Sequence, residues 1–189
     1  MSEGKSSFLY LTRRFILHSN HHIVNKLLIF IALVSISVGF SPSGVSKKLP
    51  DISITDLQGK PVKIQEYAKG SKYTIMSFWA TWCAPCKREL DAIGELYPDW
   101  KETYDVRLVA ITIDNARALT QVKPLIEEKG WEFDVLVDSK QELQQALNFQ
   151  AIPQTFVVDA EGNILYQHEG YTPGDEYELE KVIKELSGK

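Results

Sequence analysis

The chain's 189 residues leave room for one ordinary domain plus a tail, and 44% apolar with 24% charged content marks a folded protein, not a disordered one. A net charge of −4, with no basic stripe in the folded part, argues against a nucleic-acid partner. A unit of roughly 140 residues buries close to two thirds of its unfolded surface, so it needs no staples to hold a core.

Residues 1–22 form a polar, basic leader. His18, His21 and His22 are spaced to share a helical face and bind a metal, although a misassigned start codon or a polar cytoplasmic tail explains them more simply. Residues 23–41 contain the uninterrupted apolar run Leu27 to Phe40, LLIFIALVSISVGF, with Lys26 before it and small residues after. This composition fits a signal-peptide core better than a buried helix, because the run has no polar side. Cleavage and retention as a single-span anchor are both open: no Ala-x-Ala site is present, and the uncharged stretch continues to Ser46. Basic residues before the run place the following domain outside the cytoplasm in either case. Residues 42–48 read as a linker and 49–189 as the folded domain.

From Leu49 the pattern changes. Ile52 to Thr55 and Val62 to Ile64 alternate around the turn residues Asp56 to Lys60, which predicts a hairpin. Tyr73 to Trp79 reads as a buried strand. A helix is expected from about Cys83 to Tyr97, with Leu90, Ile93, Leu96 and Tyr97 at helical spacing. Val106 to Ile113 is a strand, Leu119 to Lys129 a helix stopped by Gly130, Val135 to Val137 a short strand and Gln141 to Leu147 a short helix. Thr155 to Val158 and Ile164 to Gln167 form a second hairpin, and Glu176 to Leu186 closes the chain as an amphipathic helix. Strands alternating with helices and ending in an antiparallel hairpin imply an α/β fold, a mixed sheet covered on both faces.

The only cysteines are Cys83 and Cys86, flanking Ala84 and Pro85 at the strand-to-helix junction. A bridge across so short a loop removes little unfolded-state entropy, and a structural zinc site would need further ligands. A reactive dithiol is the natural reading. In the first turn of a helix, unpaired N–H groups and the helix dipole favour thiolate over thiol. Pro85 suits that turn because its missing N–H is not needed there. Cys83 is therefore the expected exposed nucleophile, with Cys86 placed to resolve the mixed disulfide.

Several segments in order (LPDISITDLQGKPVKI, SFWATWCAPCKREL, RLVAITID, AIPQTFVVDAEGNI and the closing helix) together resemble the TlpA/ResA-like branch of the thioredoxin superfamily. The resemblance covers about Leu49 to Leu186. It implies a thioredoxin-like fold with an N-terminal hairpin extension. It also implies that Pro153 is cis and faces the dithiol, and that the backbone of Ile152 pairs with an extended substrate. Trp82, Ile152 and Pro153 are the substrate-binding residues expected on this basis, and no metal or cofactor is expected beyond the Cys83–Cys86 disulfide itself. Expected partners are exported disulfide-containing proteins, apocytochromes c among them, and a membrane thiol-electron donor. Two departures from thioredoxin stand out. Ser77 replaces the buried acid before the nucleophile, and Asp91 replaces the proline that kinks the active-site helix. Glu89 is then the candidate proton acceptor for Cys86, unless it lies on a solvated helix face.

Two other functions compete with disulfide reduction. Thr81 ahead of Cys83 allows a peroxiredoxin-like peroxidase, but the proline and arginine that chemistry wants are not evident. A copper-delivery module would need a histidine facing the cysteines, and His168 is the one available.

Overall fold

The computed structural model describes residues 47–188. The leader histidines and the apolar run lie outside them. Among the described residues, no helix is long and apolar enough to cross a membrane.

The strands are β1 (Ser53–Asp56), β2 (Pro61–Lys63), β3 (Tyr73–Trp79), β4 (Val106–Thr112), β5 (Asp134–Val137), β6 (Gln154–Asp159) and β7 (Ile164–Glu169). The helices are α1 (Ile64–Ala68), α2 (Ala84–Tyr104), α3 (Val122–Lys129), α4 (Glu142–Leu147) and α5 (Asp175–Ser187). All seven strands join one sheet in the order β2-β1-β5-β4-β3-β6-β7. β3 runs parallel to β4 and β4 to β5, while β6, β7, β1 and β2 pair antiparallel. This is the mixed sheet with an N-terminal hairpin that the sequence predicts.

β3 lies at the centre of the functional half, and every one of its residues is buried. A strand buried along its whole length needs cover on both faces, which explains its near-continuous apolar sequence. Side chains alternate between those faces. On one, Phe78 packs edge-on against Phe149 at 4.7 Å and Phe156 at 5.9 Å. On the other, α2 lies against β3 and β4 and also touches α5. Trp79, on that face, meets Trp131 at 5.2 Å with their planes nearly perpendicular.

Three boundaries differ from the sequence reading. Ile64 opens α1 instead of ending β2; its side chain is fully buried, so the chain turns inward there. The segment leading into α3 starts as a 3-10 turn, Ala118–Gln121. The largest difference is α2, which runs through Pro98 to Tyr104 and does not stop at Tyr97. Pro98 removes one intrahelical donor and crowds the carbonyl four residues back. Trp100, 1% exposed, lies two residues beyond the proline and fixes the rest of the helix to the core. Burying so large an aromatic contributes on the order of the proline cost, ~3 kcal/mol. Gly94, at that crowded carbonyl, also lets the helix approach the ring of Phe133: a Cβ there would stand 3.3 Å from it.

Lys47 and Lys48, the last residues of the expected linker, lie against the edge of the sheet. Lys48 bridges to Asn163, and the N–H of Ile164 donates to the Lys47 carbonyl at 2.8 Å. Asn163 lies in the β6–β7 turn, just beyond Asp159, which pairs with Tyr73 at the start of β3. The chain thus enters the domain at the end of the sheet opposite the cysteines.

Candidate active site

β3 delivers the chain to the C-terminal edge of the sheet, where Ala80 to Trp82 turn into α2. Cys83 is the N-cap of that helix, with extended backbone angles, and Pro85 sits in its first turn. Cys83 and Cys86 are joined in a disulfide. The backbone N–H of Cys86 donates to the Cys83 sulfur at 3.3 Å. A donor aimed at that sulfur from a helix N-terminus stabilises negative charge on it once the bond is reduced.

Cys83 is less open than its expected role as the exposed nucleophile suggests: it is 5% exposed, against 0% for Cys86. The accessible feature is Trp82, 68% exposed, beside it. The Ile152–Pro153 bond is cis, and the Ile152 carbonyl oxygen lies 3.9 Å from the Cys83 sulfur. Cys83, Cys86, Ile152 and Pro153 therefore meet at one place, although 69 residues separate Cys83 from Ile152.

Glu89 is not on a solvated face. It is 4% exposed, and its carboxylate accepts hydrogen bonds from the hydroxyls of Ser77 and Thr155, each at 2.8 Å. Desolvation pushes its carboxyl from an ordinary 4.5 up to about 7, outweighing the opposing effect of the two hydroxyl donors. Ser77 is thus not a simple loss of the buried acid. It is the donor to a carboxylate supplied by the helix, one turn beyond Cys86 and on the same side of α2.

Several contacts around the site could not be read from the sequence. Asp114, just after β4 and 1% exposed, accepts from the Thr81 N–H at 2.8 Å, the Thr81 hydroxyl at 2.9 Å and the Thr112 hydroxyl at 2.7 Å. Lys87 donates its ammonium to the Thr81 carbonyl at 3.0 Å. Together they hold the loop two residues before Cys83. With its hydroxyl engaged by Asp114, Thr81 is a loop anchor, not a partner of the thiol. Asp91, which stands where thioredoxin has its kinking proline, ties α2 to the end of α3 and the residues after it, accepting from Lys129 at 2.7 Å and the Trp131 indole at 3.0 Å. His168 pairs with Asp175 at 3.2 Å. Thr81, Asp91 and His168 stand out in the sequence but their partners do not, and only the Thr112-x-Asp114 pattern at the end of β4 could have pointed to Asp114.

Such a fold, carrying a dithiol at a helix N-terminus against a cis-proline, defines a thioredoxin-fold thiol–disulfide oxidoreductase. Comparison with known proteins agrees. The AhpC/TSA family model matches residues 45–167. The thiol-disulfide oxidoreductase ResA of Bacillus anthracis is 30% identical over 143 residues, 76% of this chain and 79% of that protein. The solution structure of an uncharacterized thioredoxin-like protein from Porphyromonas gingivalis is 44% identical, with a TM-score of 0.65 over 74% of this chain and 92% of the other. StoA from Bacillus subtilis is 25% identical, with a TM-score of 0.56 over 70% of this chain and 98% of the other. The chain belongs to the AhpC/TSA family, in the TlpA/ResA-like thiol–disulfide oxidoreductase branch of the thioredoxin superfamily.

Proposed function

We propose that the chain is an extracytoplasmic disulfide reductase acting on exported proteins, apocytochromes c among them, and is recharged by a membrane thiol-electron donor. The observation that carries the reading is the Cys83 sulfur, capped by the Cys86 N–H and set against the Ile152 carbonyl and cis-Pro153. A substrate segment laid along the Ile152 backbone as an added strand brings its disulfide to Cys83, with Trp82 as the apolar contact.

In the reduced protein, the Cys83 thiolate attacks one substrate sulfur, forming a mixed disulfide and releasing the other as thiolate. Cys86 gives its proton to Glu89 and attacks the Cys83 sulfur of the mixed disulfide. The second substrate thiolate leaves, and the Cys83–Cys86 disulfide remains. A carboxylate whose pKa stands near 7 suits this step, because about half of it is ionised and able to accept at neutral pH while it is basic enough to do so. Export rests on the apolar run Leu27 to Phe40, which also leaves anchoring in the membrane as an alternative to cleavage.

Insulin reduction by the purified domain, with capture of periplasmic targets on the Cys86→Ser form, tests the proposal. Captured exported thiol proteins support it. A trap that holds no exported protein, or a domain that only oxidises reduced substrates, overturns it.

A further inference from the structure

Glu89 is buried, so a proton it takes from Cys86 needs a way out. The sheet register supplies a candidate. Ser77 pairs across the ladder with Thr155, and Thr155 pairs with His168. Directly paired residues on neighbouring strands project to the same face, so three polar side chains run in a row across β3, β6 and β7 beneath α2. Glu89 bonds to the first two members. The third, His168, lies at the sheet edge, is 36% exposed, and pairs with Asp175 at the start of α5. Between Glu89 and His168 lies a cavity with about 10 Å³ open to the centre of a water molecule, also lined by Thr155, Tyr166, Tyr171 and Glu176. That is roughly the smallest space that holds one water, and polar groups on several sides give such a water partners.

We propose that His168, held by Asp175, is the surface end of a proton route that carries the proton accepted by Glu89 out to solvent through the cavity between them. The inference rests on Glu89 being the proton acceptor for Cys86. The balance is simple. The Cys86 S–H bond breaks and a Glu89 O–H bond forms. That proton then passes through cavity water to a ring nitrogen of His168, and from His168 to bulk buffer, leaving Glu89 ionised for the next cycle. No electron moves along the route. The charged and titratable groups facing His168 are Asp175 and Glu176 from α5, Glu89 from α2, Tyr171 from the loop before α5, and Tyr166 on its own strand, whose ring stacks parallel to the imidazole at 6.4 Å. His168 acts through Glu89, so it is a positioning residue for the proton, not a group that touches the reacting sulfurs.

The test is single-turnover oxidation of the full reduced protein by a disulfide substrate, followed by tryptophan fluorescence at neutral pH in dilute and concentrated buffer. His168→Gln keeps a hydrogen-bonding group for Asp175 but cannot carry a proton. At neutral pH about half of the reduced molecules start with Glu89 protonated and must discharge that proton before Cys86 can resolve, so in dilute buffer His168→Gln should slow this half of the reaction by about tenfold, less than the roughly 10²–10⁴-fold of a residue that transfers the proton directly. Concentrated imidazole should restore the rate. Glu89→Gln, run alongside, should be slow in every buffer. If His168→Gln reacts at the unmodified rate while Glu89→Gln is slow, the route is wrong and the role of Glu89 stands. A slow His168→Gln that imidazole does not rescue shows a purely structural role and also refutes the route. If Glu89→Gln itself is not slow, the acceptor assignment falls and the route falls with it.

Discussion

Replacing Glu89 with Gln should change how the stability of the oxidised protein depends on pH, and the size of the change follows from burial. The Glu89 carboxyl is raised from 4.5 to about 7, first because it is desolvated, with the Ser77 and Thr155 hydroxyls acting the other way. Between those two values the folded chain holds a proton that the unfolded chain has lost. Stability therefore falls as pH rises through this window. The contribution is fully present below about 4.5 and lost above about 7, and at ~1.4 kcal/mol per pH unit it amounts to about 3 kcal/mol. Gln is neutral throughout and similar in shape, and every other titrating group is common to both proteins. The stability of Glu89→Gln relative to the unmodified protein should accordingly rise by about 3 kcal/mol from pH 4.5 to pH 8. Urea unfolding of both proteins at several pH values, with the disulfide intact, measures the difference. Parallel stability curves would show that Glu89 titrates normally and would remove the physical basis for its role as acceptor.

Within the dithiol, Cys83→Ser should abolish exchange and Cys86→Ser should accumulate mixed disulfides; faster iodoacetamide labelling of Cys86 than of Cys83 in the reduced protein would reverse the assignment. Asp114→Ala strands three donors in a buried place and should cost about 3 kcal/mol or more in chemical denaturation; a loss below about 1 kcal/mol would mean that Asp114 does not hold the Thr81 loop. The redox midpoint should fall below about −180 mV, on the reducing side of the isomerases and oxidases. Ala84 and Pro85 place no histidine beside Cys83 to stabilise its thiolate strongly, and the Lys87 ammonium, held at the Thr81 carbonyl, acts only mildly the other way. A glutathione or dithiothreitol titration read by Trp79 and Trp82 fluorescence would decide this, and a midpoint above that value would make the protein an oxidant.

Local pattern carried much of the architecture into the sequence. β3 is seven residues of continuous burial, and a run rich in aromatic and branched side chains announces that directly. Gly130 stops α3 with a positive φ of 65°, where a residue without a Cβ is least strained. The dithiol was legible because its requirements are local too: two cysteines one helical turn apart, a proline between them and a strand before them. The same local logic misled at Pro98. A proline is a helix stop by propensity, and the burial of Trp100 that overrides it belongs to the tertiary fold.

What the sequence by itself determined are features set by residues a few positions apart: the order of strands and helices, the cysteine at the helix start, and the turns of both hairpins. The tertiary structure alone decided the surroundings of Glu89. Whether a helical glutamate faces solvent or the sheet depends on which side of α2 meets β3, and its neighbours Ser77 and Thr155 lie 12 and 66 residues away in sequence. His168 joins that row only through the register of β6 against β7. Register and helix rotation are set by the packing of the whole core, and a slip of one residue would turn Thr155 and His168 to the opposite face.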